Sequence, residues 1–411
     1  MTTLGETRAP APRRHPFAVA WVAFADAVDV PMRAIQRHIG ANRMAYVFLV
    51  PNLLVFGLFS FWPMILNVYI SFTGGSSTLL SQRPFVGLEN YAELLACESI
   101  FTPKTCPVAG FSFWTGMWNT LLFALFQVPL MVLFALVTAL VLNREIRARG
   151  FWRAVYFYPV MLSPVVVGIV WDWVLKRRGI LNVLLGELTT WWNAFLAGPF
   201  AAPLHAVVLA LIVVAIARPV ARRFAPGLPS LPVSMVAGAV GAFVGASLAL
   251  SGALATEPYR PINWLVETNS AWPMFWVVFV YTWAHVGFYM LILLAGLQAI
   301  PKDLYEAAAM DGTPKARQFW RITLPLLTPT MLVVVVLSLI KAFQVFDEVY
   351  VLTGGGPGQA TKMVIQHIYE TAFTGDAKRY GVAAASSILV AGLILVLTLG
   401  QLVLSRKKAG G

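Results

Sequence analysis

Charged residues are scarce in this chain. Only 12% of its 411 residues are charged, whereas 59% are hydrophobic and the mean hydropathy is +0.74. A soluble domain with so few charges could not cover its surface with groups that water solvates well. The composition therefore predicts a membrane protein.

Histidine and cysteine, which build most metal and nucleophilic sites, are also few. The five histidines are scattered, and no Ser/His/Asp, Cys/His or paired-carboxylate arrangement stands out. The two cysteines are too few for a structural zinc site of the usual four-ligand kind. The sequence predicts no metal, no cofactor and no catalytic residue.

Acidic residues number 18 against 30 Lys and Arg, which gives a formal net charge of +12. An excess of this size fits either nucleic acid or anionic lipid as a partner. The basic residues lie in short clusters between apolar runs and not in one patch, as the positive-inside rule requires. Membrane lipid is therefore the predicted partner, and nucleic acid is not.

Eight apolar runs are long enough to cross a bilayer. With the N-terminus inside, 20 basic residues fall on the cytoplasmic side and nine on the outer side, which predicts that both termini are cytoplasmic. The cluster 176–178 is the one local exception. The runs cover about 46–72, 111–142, 154–175, 200–217, 231–256, 272–299, 324–346 and 381–405.

These runs divide the chain into a cytoplasmic N-terminal segment, 1–43, a transmembrane domain, 44–405, and a cytoplasmic tail, 406–411. Within the first segment, residues 17–30 are apolar but contain acids, so we expect an interfacial or short packed helix. A cleaved signal peptide is the alternative. The acids and the lack of a clear small-residue cleavage site count against it.

The most polar long segment of the second half, 301–325, lies between the sixth and seventh runs. Residues 304–311 are rich in helix formers, and Gly312 can end such a helix in the left-handed region. Thr313 is predicted to cap a second helix that begins at Pro314.

This segment resembles the EAA loop of the membrane-spanning subunits of ABC importers, in which Glu-Ala-Ala is followed by Asp-Gly and by a spaced Phe, Ile, Leu and Pro. Thr313 stands where the family usually has Ala, so a small residue is kept. The resemblance implies a coupling loop that docks ATPase subunits; a plain solvated connector is the alternative. The matching positions are Glu306, Ala307, Ala308, Asp311, Gly312, Phe319, Ile322, Leu324 and Pro325.

Three further stretches are similar to the carbohydrate-uptake branch of these permeases, and especially to the maltose-type first permease subunit. They are Val-Gly-Leu-Glu-Asn-Tyr at 86–91, Thr-Gly-Gly-Gly-Pro-Gly at 353–358 and Tyr-Gly at 380–381. The resemblance implies an all-α polytopic bundle with a six-helix permease core. The runs at 200–256 look like an inserted helix pair within about 183–260, for about eight transmembrane helices in all.

The resemblance implies half of an ATP-driven, binding-protein-dependent sugar importer in a bacterial inner membrane, with an oligosaccharide or glycoside as its solute. The implied partners are a second permease subunit, which is a homologue or a second copy, two ATPase subunits and an extracytoplasmic solute-binding protein. One alternative is a polyol or sugar-phosphate solute. Another, of a different class, is a non-transport membrane assembly or sensor subunit.

The glycine-rich stretch 354–358 is not a P-loop. A P-loop needs Gly-Lys-Ser/Thr before a helix, and no Gly-Lys pair occurs anywhere in the chain. We interpret this stretch as a tight outer turn that gates or contacts the solute. ATP hydrolysis is expected on another chain.

Ionisable residues inside spans are costly and point to function. Aromatic rings beside them suit sugars, because the apolar face of a pyranose stacks on a ring while its hydroxyls need hydrogen-bond partners. The competing interpretation is that the Trp residues form interfacial belts while the charges pair or snorkel. The candidate pathway residues are Trp171, Asp172, Trp173, Trp283, His285, Lys341 and Asp347.

Gly241 and Gly245 form a Gly-x-x-x-Gly face inside the inserted pair. Such a face lets helix backbones approach closely. We expect it to pack the inserted pair against the core.

Cys97 and Cys106 both fall in the first outer loop of the predicted topology. An oxidising compartment favours a disulfide there, with two free thiols as the alternative.

Overall fold

A computed structural model of the chain describes residues 40–224, 230–267, 271–374 and 378–409, with a few isolated positions before residue 40. Helices make up most of these ranges, and no β-strand occurs in them beyond an isolated bridge between Thr73 and Phe85. The all-α prediction is confirmed. The predicted interfacial helix at 17–30 lies almost entirely outside the described residues.

The first membrane helix contains a widened turn. Helix α1, Ala41–Phe56, continues through one π-helical turn, Gly57–Phe61, into α2, Trp62–Ser71. Pro63 follows this turn and has no N–H to donate back into it, which is a common cause of a local change in the helical ladder. The span stays continuous across the change.

The third predicted span, 154–175, is not one straight helix. After α3, Glu89–Leu95, and the long α4, Val108–Asn143, the chain forms α5, Arg149–Phe157, and then α6, Pro164–Leu175. The axis bends by 98° between residues 161 and 164. Pro164 disfavours helical backbone at the residue before it, and Ser163 is extended with ψ 136°.

The two inserted runs form a helical hairpin. Helix α7, Ile180–Ala197, leads into α8, Ala201–Phe224, which packs along α9, Ser230–Leu250. A Cβ on Gly241 would lie 2.7 Å from the backbone of Ala210, and one on Gly245 would collide with the carbonyl of His205. The expectation that this glycine face packs against the core was therefore wrong, because the face is used within the hairpin.

The rest of the chain returns to the core and carries the coupling segment. A π-helical turn, Phe319–Thr323, joins the helix Lys315–Gln318 to the helix that starts at Leu324. The helices are α10, Trp272–Gln298; α11, Lys302–Met310; α12, Lys315–Gln318; α13, Leu324–Phe343; α14, Asp347–Thr353; α15, Val364–Tyr369; and α16, Tyr380–Ala409.

Helices α4 and α10 form the centre of the bundle and lie side by side, with α13 packed against both. The rings of Phe123 and Tyr281 meet edge to face at 5.4 Å between α4 and α10. Such interdigitation gives a helical bundle a well-packed interior even where lipid surrounds it. The largest fully buried apolar side chains of these three helices are Phe113, Phe123, Met131, Leu142, Met290, Leu293, Leu327 and Phe343.

Within the described ranges, seven helices are long and apolar enough to cross a membrane, and the bent pair formed by Arg149–Met161 and Pro164–Ala197 brings the number to as many as eight. The predicted number of spans is confirmed at this level. The bend is the one place where an apolar run and a straight helix do not coincide.

Candidate coupling loop and transport pathway

Helix α11 of the coupling segment ends in a Schellman motif. The Thr313 N–H donates to the Ala308 carbonyl at 2.9 Å, and the Gly312 N–H donates to the Ala309 carbonyl at 3.0 Å. This arrangement requires a left-handed residue just past the helix, and Gly312 has φ +68°. The helix end predicted at Gly312 is confirmed.

The predicted Thr313 cap is absent. The next helix, α12, begins at Lys315, because Pro314 adopts an extended conformation with φ −66° and ψ 149° and makes no side-chain cap. Thr313 contributes its carbonyl oxygen instead, which accepts a hydrogen bond from Nε2 of Gln318 at 2.9 Å. The turn is closed by a glutamine amide and not by a threonine hydroxyl.

Large apolar side chains of this segment are left uncovered. Met310 is 89% exposed and Trp320 is 65% exposed, whereas Phe319 and Ile322 are half-buried. The carboxylates of Glu306 and Asp311 are exposed and form no ion pair with any described residue. Apolar side chains beside unpaired carboxylates suit a docking surface for another protein.

The segment is also tied to the membrane helix that follows it. The hydroxyl of Tyr305, on α11, lies 3.0 Å from the hydroxyl of Thr323, at the start of α13. Thr323 is buried. A displacement of α11 is thereby linked to α13 through a direct hydrogen bond.

Two of the candidate pathway residues, Trp171 and Trp283, meet between α6 and α10. The ring of Trp171 lies 5.5 Å from that of Trp283 and 5.4 Å from that of Phe279, and it also contacts Trp276. The indole N–H groups of Trp171 and Trp276 are buried and meet no acceptor among the described residues. This cluster combines ring faces with unpaired indole donors, the two kinds of group that bind a sugar.

His285 lies two residues beyond Trp283, on a different face of α10, and is directed at a buried carboxylate. Its Nδ1 donates to the Tyr281 carbonyl at 3.0 Å, and its Nε2 lies 3.5 Å from Oε1 of Glu348. Because Nδ1 already carries a hydrogen, the contact between Nε2 and the carboxyl is favourable when one further proton resides on the pair. Burial raises the pKa of the Glu348 carboxyl, and the charge of His285 opposes that rise.

The other four candidates lie outside this constellation. Asp172 forms an ion pair with Lys176 at 2.6 Å, one turn along the chain. Trp173 points away from the cluster and is 69% exposed. Lys341 and Asp347 are both exposed.

Glu348 was not among the candidate pathway residues. The neighbouring Asp347 was singled out, but α14 begins there and its register turns Glu348 toward α10. One available signal was Gly168, where a Cβ would meet Val351 and the Glu348 carbonyl. That glycine lets α14 approach α6 closely.

The glycine-rich stretch forms a compact turn with the helix that follows it. Gly354 and Gly355 are left-handed, with φ 58° and 86°. Nε2 of Gln366 donates to the Gly354 carbonyl at 2.8 Å, and the hydroxyls of Thr353 and Thr361 lie 2.7 Å apart. This confirms the tight turn; its contact with a solute remains a prediction.

Buried His367 joins α15 to two membrane helices. Its Nδ1 lies 3.1 Å from the Ser112 hydroxyl, and its Nε2 lies 3.3 Å from the Ser386 hydroxyl. Burial lowers the pKa of His367 to about 4, and the charge of Lys362 adds to this effect.

Cys97 and Cys106 are joined as a disulfide beside the N-terminal end of α4. Among the described residues no group of three or more His, Cys, Asp or Glu side chains could hold a metal ion.

Comparison with known proteins agrees with this architecture. A family model described as binding-protein-dependent transport system inner membrane component matches residues 109–410. The chain is 30% identical to the probable ABC transporter permease protein YurN of Bacillus subtilis (strain 168), over 86% of this chain and 93% of the relative.

The chain is also 29% identical to the trehalose/maltose transport system permease protein MalF of Thermococcus litoralis, over 89% of this chain and 94% of the relative. A solved structure of a bacterial alginate ABC transporter, in complex with an alginate pentasaccharide-bound periplasmic protein, superposes with a TM-score of 0.58. That match covers 90% of this chain and 97% of the other at 21% identity, which shows a shared fold.

Proposed function

The chain belongs to the family of binding-protein-dependent transport system inner membrane components, and on this basis we propose that it is the membrane-spanning subunit of an ATP-driven sugar importer. The proposed solute is an oligosaccharide or glycoside. The Trp171 cluster is the observation that carries the sugar assignment, because it offers ring faces together with unpaired indole donors.

The proposed pathway runs between α6, α10 and α14. A pyranose ring would stack on the Trp171 cluster, and its hydroxyls would be bound by the indole N–H groups. The pair of His285 and Glu348, on another face of α10, would bind a different part of the solute. Water bound there in place of sugar could hydrogen-bond the polar groups but would provide no apolar face for the rings.

The proposed energy source is a pair of ATPase subunits docked on the coupling segment. Met310 and Trp320 would bury their apolar surface in the partner, while Glu306 would meet a basic residue of it. The Tyr305–Thr323 contact would pass the movement on to α13. ATP hydrolysis is assigned to those subunits and not to this chain.

A second permease subunit would complete the pathway. The most apolar part of the first membrane helix, within Leu49–Ser71, is not buried by any other described part of the chain. Leu53, Leu54 and Phe59 are all exposed. A neighbouring permease would cover that helix. We place the complex in a bacterial inner membrane with both termini cytoplasmic, so that the coupling segment faces the ATPases and the disulfide loop faces a solute-binding protein.

The test begins with co-purification of the partners, followed by reconstitution of the complex in liposomes and a panel of oligosaccharides, glycosides, polyols and sugar phosphates. We expect an oligosaccharide or glycoside, delivered by its binding protein, to raise ATP hydrolysis and to accumulate inside. Stimulation by only a polyol or a sugar phosphate would overturn the sugar assignment. A complex without ATPase-dependent flux of any solute would overturn the importer.

Two tryptophans of one helix make a matched pair for the pathway. Trp171→Ala removes a ring from the cluster, and we expect it to reduce uptake at limiting solute by several-fold. Trp173→Ala removes an outward-facing ring and should leave uptake unchanged. Equal effects of the two variants would contradict the proposed position of the pathway.

A further inference from the structure

Helix α7 carries an apolar stripe that nothing in the described chain covers. Ile180, Leu184, Leu188 and Trp191 follow one another at spacings of four, four and three residues, which places them on one face. Each is between 58% and 65% exposed. The ring of Phe195 stacks on that of Trp191 at 5.8 Å and extends the stripe by one more turn.

The opposite face of α7 is fixed in place. Nδ2 of Asn182 donates to the Ile262 carbonyl at 2.9 Å, Nε1 of Trp192 donates to the Leu254 carbonyl at 3.0 Å, and Nδ2 of Asn193 donates to the Thr256 carbonyl at 2.8 Å. These bonds attach α7 to the segment that follows the hairpin. The helix therefore cannot roll to hide its stripe without breaking them.

Two unpaired cations precede the stripe. Lys176 is paired with Asp172, but Arg177 and Arg178 are exposed and have no acidic partner among the described residues. They lie at the end of α6 that meets the start of α10, since Trp171 contacts Trp276. The coupling segment follows the other end of α10, so these arginines lie at the opposite end of the bundle.

We propose that α7 lies in the membrane surface at the end of the bundle opposite the coupling segment, with its stripe among the acyl chains and with Arg177 and Arg178 bound to phosphates of anionic phospholipids. An apolar stripe ending in a tryptophan and preceded by arginines is the pattern of an interfacial helix. The chain re-enters a span at Ala201, only three residues after α7 ends, which holds the helix close to the bilayer.

This assignment explains the exception to the positive-inside rule. The positive-inside rule makes a cluster of three basic residues beside a membrane span uncommon on the non-coupling side. Each arginine near an anionic surface strengthens lipid binding on the order of fivefold. The same residues then act as an anchor for α7, which connects the core to the hairpin.

Depth measurement tests the stripe. A nitroxide would be attached at Leu188→Cys, on the stripe, and at Thr190→Cys, which is exposed on a different face of the same helix. Labelling is done without reductant, so that the native disulfide stays closed, and the complex is placed in vesicles of phosphatidylethanolamine and phosphatidylglycerol. We expect the label at 188 to collide with oxygen and to be shielded from a water-soluble nickel reagent, and the label at 190 to show the reverse.

Two results would overturn this placement. If the nickel reagent reaches both labels equally, the stripe faces water, as expected of a docking site for a soluble protein. Equal shielding of both labels means that α7 is buried on all sides, in a span or against another subunit.

Lipid retention tests the arginines. Native mass spectrometry of the purified complex would count bound phosphatidylglycerol in Arg177→Gln/Arg178→Gln and in Lys104→Gln/Lys378→Gln, which removes two exposed cations elsewhere on the predicted outer surface. We expect a several-fold loss of bound lipid in the arginine variant only. The same loss in both variants, or in neither, would overturn the assignment of these arginines.

Discussion

Gly381 lies against the carbonyl oxygen of Thr73 so closely that a Cβ would collide with it. The same Cβ would meet Nδ2 of Asn90, which donates to the carbonyls of Ser71 at 2.8 Å and of Thr73 at 3.1 Å. Asn90 thereby closes the end of the first membrane helix, and the last helix begins beside it. The stretches 86–91 and 380–381, which are far apart in the sequence, therefore meet at the end of the first membrane helix.

Gly381→Ala is expected to destabilise the protein by several kcal/mol, because backbone atoms on both sides must move to admit the methyl group. The matched control is Gly392→Ala in the same helix, where a Cβ meets nothing within 4 Å. Yield of monodisperse protein and the midpoint of thermal unfolding in detergent measure the difference. Similar behaviour of the two variants would contradict the close approach at Gly381.

The left-handed conformation of Gly312 gives a second matched pair. Gly312→Val leaves the segment inserted and folded but strains the helix end by about 1–2 kcal/mol, and we expect weaker ATPase docking and less uptake per ATP hydrolysed. Gly312→Asn keeps a residue that tolerates this conformation and should behave nearly as the native protein does. A Cβ has open space at this position, so the two variants separate backbone strain from steric collision.

Glu306→Lys tests the charge of the same segment. It reverses the carboxylate that is proposed to meet a basic residue of the ATPase, and we expect docking to weaken while membrane insertion is unaffected. Pull-down of the ATPase subunit and the ratio of solute taken up to ATP hydrolysed are the measurements. Normal values of both would make the segment an ordinary connector.

The hydroxyl contact between Tyr305 and Thr323 can be measured by a double-mutant cycle. Tyr305→Phe and Thr323→Val each remove one partner and should each cost about 1 kcal/mol of stability. Together they should cost little more than either alone, and each should lower uptake per ATP. Thr328→Val is the control, since that hydroxyl bonds only to the Leu324 carbonyl of its own helix. Additive losses would show that the two residues act separately.

His367 predicts a pH dependence of stability. The unfolded histidine binds a proton near pH 6.5, whereas the folded residue, with its pKa lowered to about 4, does not. Between these values the unfolded state binds more protons, so the free energy of unfolding falls as the pH falls, by about 3 kcal/mol at most. Thermal unfolding at pH 7 and pH 5 should show this loss, and His367→Gln should reduce it. An unchanged loss in the variant would assign it to other groups.

The Cys97–Cys106 disulfide is expected to form in cells. Non-reducing mass spectrometry should show the bonded peptide pair, and two free thiols would contradict it. The closed loop is short, so the bond should contribute about 2–3 kcal/mol in the chain-entropy view. Cys97→Ser/Cys106→Ser should therefore remain foldable, with a loop that proteases cleave faster.

Local signals in the sequence predict much of the coupling segment. Gly312 ends α11 as expected, because left-handed backbone is a property of one residue and its neighbours. The cap at Thr313 failed because Pro314 stayed extended and moved the next helix start to Lys315. That outcome depends on how Gln318 folds back onto the turn, which residue preference alone does not determine.

Features that need a partner surface were harder to predict. A Gly-x-x-x-Gly face indicates close packing but does not name the helix it packs on, so Gly241 was assigned to the core although its neighbour is α8. The choice between Asp347 and Glu348 depended on the rotation of a helix of only seven residues. By contrast, the bend before α6 could have been predicted from Pro164, because a proline disfavours helical backbone at the residue before it. The run 154–175 was defined by length and hydropathy alone, which do not register that proline.

Asn182 joins the two ends of the segment that contains the predicted inserted helix pair. Its amide bridges the carbonyls of Lys176 and Ile262, so the two strands of chain that leave and re-enter the core are fastened side by side. The segment between Lys176 and Ile262, which includes the hairpin of α8 and α9, is therefore closed at its base by the Asn182 amide. A segment that is closed at its base in this way could change in length without moving the core helices on either side of it.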